Sequence, residues 1–320
     1  MKKEFLFKNL TEILNDRIPQ RGKLADVLTE LLGIEKEAVY RRLRGSVPFS
    51  FNEICEIAVY FGFSLDSIAE NISPVTRQMT VLITDFLYPQ ENDYKKLEDF
   101  VVNIQNLKED NYLESGAIGS IIPSSLCVAY KYIYKFYLFK WSYQFGDQKR
   151  IRPYAEINIP ERLTKISRVL VECIQNSPKV VYIFDRQFIK YLVDDIRFFL
   201  DIRLITAEDV SLMKEDLYLL INDMERYATN GNFDTGNKVD IFLANVHISA
   251  NYNYIDANKY KLATMHIFTF SDSYSFDEVV FQNIKNWLNF LKRTSTLISQ
   301  GNVTERIRFF ERQRKIIDTL

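Results

Sequence analysis

The sequence predicts a mainly helical chain with a small α+β part. An N-terminal five-helix unit leads into a larger C-terminal domain, where a short antiparallel sheet is flanked by helices. Three observations predict this. Apolar residues recur at helical spacing through the first 70 or so residues, with glycines at the stops. Alternating runs rich in Ile, Val, Phe and Tyr gather late in the chain. Between them lie further amphipathic stretches, with no repeat and no low-complexity tract.

The N-terminal unit reads element by element. Residues 5–17 carry Phe5, Leu6, Leu10, Ile13 and Leu14 at helical spacing, and residues 23–32 carry Leu24, Val27, Leu28, Leu31 and Leu32. Gly33 stops the second helix, as a residue able to take positive φ does. A third helix runs over 35–44 to Gly45, and Pro48 holds the next stretch out of helix. Ser50-Phe-Asn-Glu53 is a capping box opening a fourth helix through Tyr60. A fifth spans 65–70. The unit closes at about residue 72, and 73–92 form a connecting segment.

The C-terminal domain, 93–320, has another texture. Helices are expected at 93–109, 126–145, 161–175, 186–202 and 207–229, the last capped by Thr206. Gly116, Gly119 and Pro123 mark 116–124 as a loop or a short strand. Lys179–Phe184 is a strand, as are 239–248, 252–256 and 262–270, beyond the Asn- and Gly-rich loop 230–237. Ser275-Phe-Asp-Glu278 reads as a second capping box, opening a helix to about 297. A closing helix covers 304–317.

Composition narrows the function classes. The 320 residues are 47% hydrophobic and 26% charged, which is globular rather than disordered. A formal net charge of -1 argues against non-specific coating of nucleic acid, but leaves room for a small reading head with local positive charge. The three cysteines, Cys55, Cys127 and Cys173, lack any metal-binding spacing and read as free thiols in a reducing cytoplasm. The charged N-terminus lacks a signal-peptide core, and no run of about 20 apolar residues exists to span a membrane. No cofactor motif and no nucleophile elbow or phosphate loop occurs, so no enzyme is expected.

Several clusters admit two readings. His247 and His266 could meet across a hairpin and bind a metal, or serve as ordinary sheet residues. Asp194 and Asp195 could do acid–base work, but adjacent residues on a helix point apart, which favours a solvated face. Tyr130, Tyr134, Tyr137, Trp141 and Phe145 share a helical face that is either aromatic core or the wall of a pocket. The basic closing helix is either a dimer helix or a solvated face.

The most informative stretch is LADVLTELLGIEKEAVYRRLRG, residues 24–45. A helix-turn-helix needs a bracing helix, a tight turn and a second helix whose outer face enters the major groove. Leu24, Val27, Leu28 and Leu31 supply the bracing face, Gly33 the turn and Ile34 its plug. Val39 and Leu43 anchor the second helix, leaving Lys36, Glu37, Tyr40, Arg41 and Arg44 outside. With the trailing PFSFNEICEIAVYFGFSLDSI at 48–68, the region resembles the phage-repressor/Cro superfamily of five-helix DNA-binding domains. The whole chain resembles helix-turn-helix regulators common in Bacteroides-type bacteria.

That resemblance implies double-stranded DNA as partner. It puts base reading on Lys36, Glu37, Tyr40 and Arg41, and phosphate contacts on Arg21, Lys23, Arg42 and Arg44. Arg41 suits guanine O6 and N7, and Glu37 suits cytosine N4. The family usually places an apolar residue where this chain has Arg42, so Leu43 takes over that anchor. A homodimer is expected, with the C-terminal domain supplying the interface, an effector site for a small molecule or protein, or both. The alternative is a protein-interaction adaptor that keeps the head without binding DNA.

Overall fold

A computed structural model describes the chain except residues 1, 19, 62, 64, 66–67, 69–78, 83–84, 109, 146–150 and 268–271. The chain divides into two compact units, Met1–Gln78 and Met79–Leu320.

The first unit holds α1 (Lys2–Arg17), α2 (Arg21–Leu32), α3 (Lys36–Leu43) and α4 (Phe51–Phe61). Leu10, Leu14, Leu24, Leu28, Val39, Leu43, Phe49, Ile57 and Ile68 close a core among them. Of the periodic apolar positions, Leu10, Leu14, Leu24 and Leu28 are buried, and Leu6, Ile13, Leu31 and Leu32 pack against them partly buried. Gly33 adopts φ 61°, and its N–H returns to the Thr29 carbonyl at 3.0 Å, ending α2 and starting the tight turn. The expected fifth helix, 65–70, falls mostly outside the described residues. Ile68 is buried, and its carbonyl accepts from the Asn9 side-chain amide at 2.8 Å, tying α1 to this stretch.

The second unit is built on one open sheet of eight strands in the order β1-β7-β6-β5-β2-β3-β4-β8. The strands are β1 (Thr80–Leu82), β2 (Glu114–Gly119), β3 (Lys179–Phe184), β4 (Lys238–Leu243), β5 (Tyr252–Asp256), β6 (Lys261–His266), β7 (Asp272–Ser275) and β8 (Thr296–Leu297). The helices are α5 (Glu91–Gln105), α6 (Ser124–Cys127), α7 (Lys131–Phe145), α8 (Glu161–Gln175), α9 (Phe188–Asp201), α10 (Ala207–Asn230), α11 (Glu278–Thr294) and α12 (Val303–Asp318).

This corrects the expectation of a short antiparallel sheet. β2, β3 and β4 run parallel at its centre, joined by helical crossovers, and antiparallel strands flank them on both sides. β3 and β4 read as strands from sequence, but β2, ESGAIG, does not read clearly, because it is buried on both faces and does not alternate. Its glycine is sterically required: a Cβ on Gly116 would lie 2.4 Å from the Tyr254 ring and 2.7 Å from the Val181 carbonyl oxygen. Part of the expected connecting segment forms the edge strand β1, and the expected helix 126–145 divides into α6 and α7.

Both faces of the sheet are covered. Ala117, Val180, Tyr182, Val239 and Ile241 pack under α7, α9, α10 and α12, while Ile255 and Leu262 pack with Ile104 and Cys173 of α5 and α8. Ile118, Val181, Ile183 and Ala263 meet Phe281, Leu288 and Leu291 of α11 on the other face. Thr206 caps α10 as expected, its hydroxyl accepting the Asp209 N–H at 3.1 Å. The second capping box does not form: Ser275 ends β7, and Asp277 caps α11 by accepting the Val280 N–H at 2.8 Å.

Tyr130, Tyr134, Tyr137 and Trp141 are buried, so the aromatic face is mainly core. Asp194 and Asp195 pair separately, with Lys190 and Lys140. His247 lies in the loop after β4, not in a strand, and its Nδ1 is 3.0 Å from Asp185 Oδ2. Among the described residues no three His, Cys, Asp or Glu side chains form a metal-binding group. No described helix is long and apolar enough to cross a membrane.

Candidate nucleic-acid interface

α3 is eight residues long, so its faces are set by few side chains. Val39 is fully buried and Leu43 nearly so, which turns the opposite side of the helix to solvent. Leu43 thus holds the anchor position, and Arg42, one residue earlier, lands at the flank between α3 and α4.

Arg42 is the most constrained cation of the head. Its Nη2 is 2.8 Å from Glu53 Oε1, its Nε donates to Glu53 Oε2 at 3.2 Å, and Nη1 reaches the Ala38 carbonyl at 3.3 Å. Both partners are less than one-fifth exposed. Glu53 is the N3 residue of the Ser50 capping box: it accepts the Ser50 N–H at 2.7 Å, and the Ser50 hydroxyl accepts the Glu53 N–H at 3.2 Å. One carboxylate therefore caps α4 and fixes α3 to it. Burial works to raise the Glu53 carboxyl, but the Arg42 guanidinium and the Ser50 donors outweigh it and hold it below the usual carboxylate range.

The solvent side of α3 carries a mixed set. Lys36 pairs with Asp26 of α2. Arg44 Nη2 is 2.7 Å from Glu37 Oε1, both side chains more than half exposed. Exposed pairs of this kind are weak and exchange readily for other partners. Tyr40 is half-buried against the head core. Arg41 is exposed and makes no side-chain ion pair or hydrogen bond among the described residues. Lys23 is exposed in the first turn of α2. Arg21 opens α2, and its side chain lies outside the described ones.

The family resemblance groups Lys36, Glu37, Tyr40 and Arg41 with Arg21, Lys23, Arg42 and Arg44. The structure keeps Lys36, Glu37, Arg41 and Arg44 at the solvent side of α3 and assigns Arg42 to an internal contact. It adds Asp26 and Glu53, which hold two of the cations. The Glu53 pairing had no local signal, since Arg42 lies eleven residues earlier.

A two-helix unit with a left-handed turn glycine, a buried bracing helix and a short second helix with an exposed arginine is a helix-turn-helix. Residues 2–99 match the family model of the BetR domain. The BetR domain is a DNA-binding, helix-turn-helix-type regulatory domain, and the match is consistent with a transcription regulator. The BetR match runs past Gln78 through β1 and into α5, so it takes in the first strand and most of the first helix of the second unit. No curated protein and no solved structure matches the chain.

Proposed function

We propose that the chain is a sequence-specific transcription regulator of repressor/Cro type, and that α3 enters the major groove with Arg41 as its principal base-reading side chain. The observation that carries this is the division of α3 by Val39 and Leu43. Their burial leaves Arg41 on the exposed side as an uncommitted guanidinium, the group that reads guanine bidentately. Lys36, Glu37 and Tyr40 stand beside it as further base-reading positions. Arg44, Lys23 and Arg21 are the phosphate contacts, with Arg44 exchanging Glu37 for phosphate.

A single head this small makes few base contacts, so the protein acts as a homodimer on a two-fold-related site, with half-site centres about one helical turn, roughly 34 Å, apart. The second unit supplies the dimer contact and the effector site. The test is selection of bound duplexes from a random pool by the purified full-length chain, followed by affinity measurement across salt. A palindromic consensus, with affinity falling steeply as salt rises, is the expected result. No enriched sequence, or affinity indifferent to salt, would overturn it.

A protein-docking reading draws on Asp26 and Glu37, which neutralise two cations of the same surface. It predicts the second outcome of that experiment and capture of a protein partner through α3.

A further inference from the structure

Against the sheet face under α5 and α8 lies a cavity of about 130 Å³. A single buried water needs roughly 10–15 Å³ by the same kind of measure, so the space exceeds what one solvent molecule fills. Phe100, Leu170, Ile174, Val180 and Leu262 give it apolar walls. Among the described residues no cationic side chain lines it, and the one acid there, Asp272, sits beside the His266 ring with Oδ1 2.7 Å from Nδ1. An anion finds no partner there, and a cation finds an acid already faced by a histidine.

The polar atoms of the wall specify more. Ser125 Oγ and Tyr182 OH are 2.9 Å apart, and both residues are buried and line the cavity. A hydroxyl pair shares one proton, so the pair's second O–H needs another acceptor. No protein atom accepts it among the described residues. The neighbouring pair differs: Ser115 donates to Ser177, which passes its own proton to the Cys173 carbonyl at 3.3 Å, so both are spent. Across the cavity, Thr264 Oγ1 accepts from the Asn253 amide at 3.3 Å and keeps its own O–H. A buried donor without an acceptor is destabilising, and an apolar pocket with a few convergent polar groups is the usual form of a small-molecule site.

From this we infer that the cavity binds a small uncharged molecule with an apolar body and a carbonyl or ether oxygen. The oxygen accepts the free proton of the Ser125–Tyr182 pair, and the body lies between α8 and the sheet. Binding here stands or falls independently of DNA binding by the head.

The test uses three matched probes on the full-length chain, followed by calorimetry and ligand-observed NMR: acetophenone, ethylbenzene and benzoate. Acetophenone binds saturably, ethylbenzene about tenfold more weakly, as expected for one lost hydrogen bond to a buried donor, and benzoate not at all. Ala117→Leu, which fills the cavity from the β2 side, abolishes binding of both neutral probes. The double variant Ser125→Ala/Tyr182→Phe keeps the space but removes the donor that the inference assigns to the ligand oxygen, so the preference for acetophenone over ethylbenzene is lost. Circular dichroism establishes that each variant is folded, and Leu170→Phe fills the space from α8 should Ala117→Leu fail to fold. The inference is overturned by absence of saturable binding of acetophenone, by equal wild-type affinity for acetophenone and ethylbenzene, or by undiminished binding in a folded cavity-filling variant.

Discussion

Asp216 Oδ2 accepts the backbone N–H of Tyr132 at 2.6 Å from a position 84 residues further along the chain, and that of Ile133 at 3.2 Å. These are first-turn donors of α7, preceded by Val128-Ala129-Tyr130, which offers no local capping side chain. α10 therefore caps α7. Burial raises the Asp216 carboxyl above its ordinary range despite the two N–H donors. Asp216→Ala is expected to lower stability by about 2 kcal/mol, while Asp216→Asn, which keeps an acceptor without the charge, loses less than half of that. Because the folded pKa is raised, the wild-type chain gains on the Asn variant as pH falls through that folded value toward the unfolded one. Urea titration of the three proteins at several pH values checks both statements.

The head carries the opposite pH dependence. Glu53 is held below its unfolded value, near 4.5, so its stabilisation is complete above that range and is lost as pH falls through the lower folded value. Glu53→Gln is expected to cost the head about 1–2 kcal/mol at pH 7, with the difference vanishing at strongly acidic pH. Both tryptophans lie in the second unit. Peptide-resolved hydrogen exchange across α3 and α4 of the full-length chain is therefore the appropriate measurement.

Arg41 and Arg42 are adjacent and separable. Arg41→Ala is expected to reduce affinity for a selected duplex by about 1–3 kcal/mol, relax the preferred base at one position and leave exchange protection unchanged. Arg42→Ala is expected to reduce protection of α3 and α4 first, because it orphans Glu53. Equal loss of affinity at unchanged protection in both variants would refute this separation.

A carboxylate at the start of β2 carries a heavier load. Glu114 receives Lys179 at 2.7 Å, Lys285 at 2.5 Å, Lys292 at 3.4 Å and the Tyr254 hydroxyl at 2.7 Å. Burial works to raise its carboxyl, and the lysines and tyrosine drive it far below the usual range instead. Glu114→Gln leaves lysines crowded in a half-buried site and is expected to cost about 3 kcal/mol. Glu114→Asp, too short to hold all of its partners, falls between. Thermal melts of both variants at neutral pH test the order, and a neutral Glu114→Gln variant would refute it.

Much of the architecture was legible where one physical rule dominated. The helix at 161–175 and the strands at 179–184 and 252–256 have the bounds read from their patterns, since each has a clear period and nearby turn residues. β2 did not, because a strand buried on both faces loses its alternation and Gly116 serves a tyrosine 138 positions away. The break between α6 and α7 was hidden because its cap comes from α10. In the head, Gly33, Val39 and Leu43 were readable from local spacing, whereas the Arg42–Glu53 pair depends on how α3 lies against α4, which no local pattern encodes.

The pairing of β2 with β5, in register from Glu114 opposite Asp256, has a consequence for biosynthesis. The head closes on contacts made within the first 70 or so residues and can form soon after it leaves the ribosome. The sheet cannot, because its inner strand β2 (Glu114–Gly119) waits for a neighbour, β5, that begins only at Tyr252. At about 5–20 residues per second, roughly 180 residues separate the two events, a delay on the order of 10–40 s. During that interval a finished DNA-binding head is tethered to an open-edged, Val- and Ile-rich half-sheet. A ribosome-bound nascent chain would therefore complete its head well before the sheet of the second unit, and chaperone occupancy should concentrate on the interval between β2 and β5.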